Sequence, residues 1–365
     1  MNDFQKKFIL KRQDYGILYP YLIDDEVTDI NWNGRQLWID HLRQGRYMSS
    51  EILPEEFVER LVSLIANVTN QVINRLHPVL EAETEELRIS VVHQSVAHSG
   101  TTISLRKTPA VQRLNKSLLL DSGYCIEEVH SFLKNCVKAH FSIAICGLPG
   151  AGKTELLKYL TKFIPATERV ITIEEVLEIH YQQINPNKDC VEMKIAENFS
   201  YMEAIKACIR QLPKWIILSE ARSTEVKYLL ETLSTGANGL TTIHTDDVRN
   251  IPERIKSMAS EKEDLCRIEN DTYRYLDIGI LVKNGMKHKD GKHRRIEQIC
   301  IFERYGLEWK EMKNRIVMIV EDGKIVEKKL PEGIVNRFRD LGINDPFLEV
   351  QDEKVCDKNF LAYHI

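Results

Sequence analysis

Gly147, Leu148, Pro149, Gly150, Ala151, Gly152, Lys153 and Thr154 form the pattern G-x-x-x-x-G-K-T, a composition suited to holding phosphate. Its glycines let the backbone curl so that successive N–H groups point inward, and a helix beginning there adds positive partial charge. Lys153 adds a full charge near the β and γ phosphates of a nucleotide, and the Thr154 hydroxyl is placed to ligate Mg²⁺. The flanks agree with this reading. An apolar run at 141–146 reads as a buried strand, and 155–163 has helical spacing that Pro165 halts. The chemistry implied is binding of a nucleoside triphosphate with its magnesium ion.

More chemistry-bearing residues follow other apolar runs. Glu174, Glu175 and Glu178 come directly after the strand-like run 169–173. In an open α/β sheet the carboxyl ends of the strands face the ligand, so a carboxylate there can orient and deprotonate the water that attacks the γ-phosphate. The plain alternative is a solvated acidic loop. Glu220 follows the buried run 215–218, where an acid would hold the magnesium shell directly or through water. His244 ends a third run, 241–243, from which a histidine can donate to a γ-phosphate and report its loss. A lone strand-end histidine is usually structural. Three strands ending in chemistry beside a phosphate loop favour the functional reading.

These residues require a sheet to position them. Between 124 and 304, helical stretches alternate with short apolar strands at 141–146, 169–173, 215–218, 240–244 and 278–282, the signature of a mainly parallel sheet covered by helices. Residues 1–108 mix helix and strand, with a hairpin signal at Asn33-Gly34, and read as an independent α+β domain. Residues 109–123 read as a linker, and 305–365 as a small appendage carrying a hairpin at Asp322-Gly323 and a short helix. The fold class expected is thus an α/β P-loop (RecA-like) domain with a separate amino-terminal domain.

Composition excludes several alternatives. No apolar run approaches the roughly 18 residues of a membrane span, and residues 1–7 lack the apolar stretch of a signal peptide, so a cytoplasmic location is expected. The eight cysteines are scattered without a C-x-x-C pair, which suits buried free thiols better than zinc or disulfides. A net charge of −4 argues against a broad nucleic-acid footprint, so direct nucleic-acid binding is not expected. The basic stretch 287–295 reads as a solvated hairpin turn around Asp290-Gly291, and the acidic stretch 81–86 as a solvated face.

The order and wording of four segments, G-L-P-G-A-G-K-T, I-T-I-E-E-V-L-E, R-Q-L-P-K-W-I-I-L-S-E-A-R and S-T-G-A-N-G-L-T-T-I-H, closely resemble the Walker A, Asp box, Walker B and His box of the secretion ATPases. These are the hexameric motors of type II and type IV secretion, of type IV and Tad-type pilus assembly, and of conjugation. The resemblance spans about residues 25–304. It implies that Glu174 activates water, that Glu178 is the last acid of the Asp box, and that Glu220 and His244 fill the Walker B and His box positions. It also implies that Arg88 and Arg106 reach the nucleotide phosphates from the amino-terminal domain and that Arg222 senses phosphate. From spacing alone Arg88 and Arg106 are strand-surface charges.

The sequence departs from the family pattern at Glu175, Lys214, Ser219 and Ala237, and none of these removes a phosphate, magnesium or water-handling group. No tetracysteine zinc insertion is present, which favours the type IV secretion or Tad-type branch. The implied protein is a hexameric, Mg-dependent ATPase at the inner face of the cell membrane, partnered by inner-membrane platform or channel proteins. Its rivals are a DNA translocase acting directly on nucleic acid, a non-catalytic nucleotide-binding scaffold and a small-molecule kinase.

Overall fold

In a computed structural model the chain is described at residues 3–196, 198–222, 225–259, 264–284, 294–306 and 311–350. Six strands, β1 (Val27–Trp32), β2 (Leu37–His41), β3 (Gly45–Met48), β4 (Val79–Glu83), β5 (Leu87–Val92) and β6 (Thr102–Lys107), form a first sheet in the order β3-β2-β1-β6-β5-β4. Every neighbouring pair is antiparallel. Alternation sets the faces. Leu87, Ile89 and Val91 of β5 and Ile103 and Leu105 of β6 point to the core, so Arg88 and Arg106 share the opposite face. The helix Glu55–Thr69 lays Val58, Leu61, Val62 and Ile65 against the inner face, and Tyr15, Leu18 and Leu22 from preceding helices complete that core. The expected turn at Asn33-Gly34 joins β1 to β2, with Gly34 at φ 91° and no room for a side chain against the Ser99 carbonyl.

The second sheet has nine strands. These are β7 (Ile143–Cys146), β8 (Val170–Glu174), β9 (Cys190–Lys194), β10 (Trp215–Ala221), β11 (Asn238–Ile243), β12 (Ile278–Asn284), β13 (Arg294–Tyr305), β14 (Lys313–Glu321) and β15 (Lys324–Ile325). Their order is β15-β14-β13-β12-β7-β11-β10-β8-β9, parallel from β12 through β9 and antiparallel from β13 to the other edge. Both faces are covered. Ile143 and Ile145 of β7 enter one core with Phe132, Leu156 and Phe338, while Ala144 and Cys146 enter the other with Ile205, Leu229 and Ile255. Strands buried on both faces read as continuous apolar runs, which is why β7, β8 and β10 stood out in the sequence. Edge strand β9 is only half-buried and has no such run.

The stretch from 305, expected as a small appendage with a hairpin and a short helix, is built into the large sheet and its core. β14 and β15 extend the large sheet through the Asp322-Gly323 hairpin, and the helix Glu332–Arg339 packs into the core beneath it. Phe338 meets Phe141 edge to face at 5.0 Å, and Phe347 stacks on Phe132 at 4.9 Å. Arg337 pairs with the Asp277 carboxylate and donates to the carbonyls of Ala139 and His140.

The linker contains a short helix, Lys116–Asp121, capped by the Asn115 side chain accepting from Leu118 N at 2.9 Å. Immediately before the linker the Thr108 N–H donates to Glu86 O, in the turn joining β4 to β5, at 2.9 Å, and Thr108 O accepts from His180 Nε2 at 2.8 Å. Lys158, on the helix Lys153–Thr161, donates to Pro109 O at 3.3 Å. The strands flanking the basic turn pair antiparallel as far as Asn284 and Arg294, and the turn around Asp290-Gly291 lies outside the described residues. Cys356 does too, and the other cysteines are free thiols, buried except for half-buried Cys190 and exposed Cys266.

Candidate functional site

The phosphate loop leaves the buried end of β7 and enters the helix Lys153–Thr161 through Gly150 and Gly152, at φ 74° and 95°. A Cβ on Gly147 would stand 2.4 Å from Val282 O of the neighbouring strand, so only glycine fits that exit. Lys153 Nζ donates to the carbonyls of Gly147 at 3.1 Å and Leu148 at 3.4 Å and lies 3.2 Å from His244 Nδ1. The ammonium is thus held inside the curl of its own loop, and burial lowers its pKa.

The acids occupy two depths. Glu174 is fully buried, and its Oε2 accepts the backbone N–H groups of Glu178 at 2.9 Å and Ile179 at 3.1 Å. Burial pushes its carboxyl up to about 7 despite those two bonds. The expectation for Glu174 is corrected on this point: it lines no part of the cleft and braces the loop carrying Glu178. Glu178 Oε2 itself stands 3.5 Å from Thr154 Oγ1.

Across the ends of β8, β10 and β11 runs a chain of opposite charges. Arg222 contacts Glu220 directly and lies 3.6 Å from Glu175, while His244 Nε2 is 2.5 Å from Glu220 Oε1. Burial pushes the Glu220 carboxyl up, but Arg222, His244 and Lys153 outweigh it and hold the group below its ordinary value. Burial, then the Lys153 charge, lowers the His244 pKa.

The two sheets enclose a cleft of about 480 Å³ over the phosphate loop, within the range of small-molecule sites. Gly150, Gly152, Lys153, Thr154 and Glu178 line one side and Asp29, Arg46 and Arg106 the other. A smaller pocket joins Arg88 to Thr154, Glu178, Glu220 and Arg222. The fold therefore brings together Arg88, Arg106, Lys153, Thr154, Glu220, Arg222 and His244. Arg88 and Arg106 are direct cross-strand partners. Like charges so placed repel, which favours an anion between them.

Sequence reasoning missed Arg113 and Arg294, which also line the cleft. One lay in the presumed linker and the other at the end of the presumed solvated turn, and no spacing marked either. The donor set is hard oxygen, Thr154 hydroxyl with the carboxylates of Glu178 and Glu220, which fits a magnesium ion bound through one or two carboxylates plus substrate phosphates. Among the described residues there is no cluster of three or more His, Cys, Asp or Glu able to hold a metal by itself.

A strand–loop–helix phosphate cradle with acids at the neighbouring strand ends defines a P-loop nucleotide-binding protein. The family model of the type II/IV secretion system proteins matches residues 73–270, more than half of the chain, and the chain belongs to that family. It is 27% identical over 262 residues to an uncharacterised Bacillus anthracis protein, covering 71% of this chain and only 59% of that relative. It is 26% identical over 319 residues to the type IV secretion system protein VirB11 of Brucella suis, covering 76% of this chain and 86% of that one. The fold is similar to that of the Legionella pneumophila ATPase DotB, with a TM-score of 0.58 at 18% identity over 75% of this chain and 77% of that one. Among the described residues no helix is long and apolar enough to cross a membrane.

Proposed function

We propose that this chain is a Mg-dependent ATPase that assembles into a homo-oligomeric ring, a hexamer by family resemblance. It powers a type IV secretion, conjugation or Tad-type pilus apparatus from the inner face of the membrane, through inner-membrane platform or channel proteins. In this reading residues 1–108 form one moving domain and the P-loop sheet, including residues 305–350, the other, with 109–123 between them.

The observation that carries the proposal is the shared cleft, where Arg106 from one sheet faces Lys153 and Thr154 from the other, with Arg88 beside Glu220 and Arg222. Lys153 and the loop N–H groups bind the β and γ phosphates of ATP. Magnesium, when bound, neutralises charge on those oxygens; Thr154 and Glu220 would hold it. Glu178 orients the attacking water, in a loop fixed by Glu174. His244, between Lys153 and Glu220, and Arg222 respond to the γ-phosphate, and Arg88 and Arg106 close on it, so that hydrolysis releases the clamp. The relation to VirB11, a type IV secretion system protein, supports the choice of machinery.

The test is steady-state phosphate release from Mg-ATP, with light scattering on the same sample. Turnover lost in Lys153→Ala, from a protein of ring mass, supports the reading. Turnover unchanged in that variant, or a strict monomer at full activity, refutes it.

A further inference from the structure

A rank of charged side chains crosses the whole first sheet in direct register. Arg46 of β3 stands opposite Asp40 of β2, Asp40 opposite Asp29 of β1, and Asp29 opposite Arg106 of β6. Arg106 in turn stands opposite Arg88 of β5, and Arg88 opposite Glu83 of β4. Residues directly opposite on one face have Cβ atoms about 5 Å apart, so neighbours of opposite charge pair and neighbours of like charge repel. Two of the three opposite-charge neighbours do pair: Arg46 Nη1 is 3.1 Å from Asp40 Oδ2, and Arg106 Nε is 2.8 Å from Asp29 Oδ1. The third pair, Arg88 with Glu83, does not form. Glu83 Oε2 is held at 2.6 Å by Lys194 Nζ, from the end of β9 in the other sheet. Among the described residues Arg88 has no ion-pair partner, and it lines the pocket of Thr154, Glu178 and Glu220.

We infer, resting on the clamp reading above, that Lys194 is a positioning residue for hydrolysis: by drawing Glu83 aside it keeps Arg88 free for the γ-phosphate. Without that ammonium, the cation facing the Glu83 carboxylate across the strand pair is Arg88, and the two would close on each other. An arginine tied to its strand neighbour must be released before it meets phosphate, and the release subtracts from the contact it makes in the transition state. Arg106 needs no such device, because its bond to Asp29 uses Nε and leaves both terminal nitrogens of the fork. The Lys194–Glu83 pair is partly exposed, and such pairs contribute little to stability, so its removal leaves the fold in place and its effect on turnover can be read.

The experiment is a double-mutant cycle on the full chain. It follows phosphate release from saturating Mg-ATP, with calorimetric affinities for ADP and for AMP-PNP, an ATP analogue that is not hydrolysed. Lys194→Met should lower turnover about three- to five-fold, the strength of one exposed ion pair. It should weaken AMP-PNP by a similar factor and leave ADP affinity unchanged, since ADP has no γ-phosphate. Lys194→Arg should behave as wild type. Glu83→Gln, alone or combined with Lys194→Met, should turn over at the wild-type rate, because a neutral amide does not capture Arg88. In an Arg88→Ala background Lys194→Met should change nothing further. A pair that only braces the two sheets gives a different pattern, Glu83→Gln as slow as Lys194→Met with no recovery in the double variant, and that result overturns the assignment. So does Lys194→Met at the wild-type rate when Arg88→Ala is slow. Arg88→Ala at the wild-type rate refutes instead the clamp role of Arg88, and with it the task given to Lys194.

Discussion

Replacing Arg106 with alanine separates stability from catalysis with unusual clarity. The side chain is 59% exposed, and its ion pair, Nε to Asp29 Oδ1 at 2.8 Å, is at the surface. Such a pair contributes about 0–1 kcal/mol, and the substitution also relieves the repulsion with Arg88 across the strand pair. The melting temperature should therefore move by less than about 3 °C. If the guanidinium instead meets the γ-phosphate in the transition state, the loss is that of an arginine finger, about 10³-fold in rate, or about 4 kcal/mol. ADP has no γ-phosphate, so its affinity should change by less than about three-fold, which is under 1 kcal/mol. Arg106→Lys should fall between the two, since it keeps the charge but loses the planar fork. The assay is phosphate release under saturating Mg-ATP, with ADP affinity and thermal melting on the same preparations. An Arg106→Ala variant that hydrolyses ATP at the wild-type rate removes Arg106 from catalysis, and the same result for Arg88→Ala as well ends the clamp mechanism.

Glu220→Gln should still bind Mg-ATP but turn it over slowly, because it keeps the shape and removes the charge beside Lys153 and the metal position; wild-type turnover would place Glu220 outside the site. Glu174 should leave a pH signature in stability. Burial pushes its carboxyl up to about 7 from 4.5, so its contribution is complete below pH 4.5 and is lost as pH rises through about 7. The loss is at most about 3 kcal/mol. Glu174→Gln should remove this dependence in urea titrations from pH 5 to 8, and parallel curves for the two proteins would contradict the assignment. Phe338→Ala should destabilise the P-loop sheet by about 3–5 kcal/mol, although it lies far along the chain from the phosphate loop; unchanged denaturation would show that the tail does not share that core.

The central strands and the phosphate loop were legible because their signals are local. A strand buried on both faces is a continuous apolar run, and the glycine positions are dictated by backbone shape. What was not legible depends on register and contact. Arg88 and Arg106 look like any outward strand charges until the pairing of β5 with β6 sets them side by side, and only the resemblance singled them out. Glu174 and Glu178 differ by one turn of loop, and which one faces the cleft is decided by two backbone N–H groups that no pattern encodes. β9 alternates at a half-buried edge, and β14 was visible as a hairpin but not as part of the large sheet, because strand order is a long-range property.

Thr108 is gripped from both directions, its N–H by Glu86 O in the turn joining β4 to β5 and its carbonyl by His180, just before the helix Tyr181–Ile184 of the P-loop domain. Just beyond it, Lys158 holds Pro109 O, and Gln112 bonds back to Lys158 O at 3.3 Å. Lys158 belongs to the helix that starts at the phosphate-binding lysine. The crossing chain is therefore a fulcrum bolted to that helix rather than a slack tether. In the proposed clamp a small tilt of the helix would be multiplied along the first sheet as along a lever arm, with the greatest travel at its outer strands.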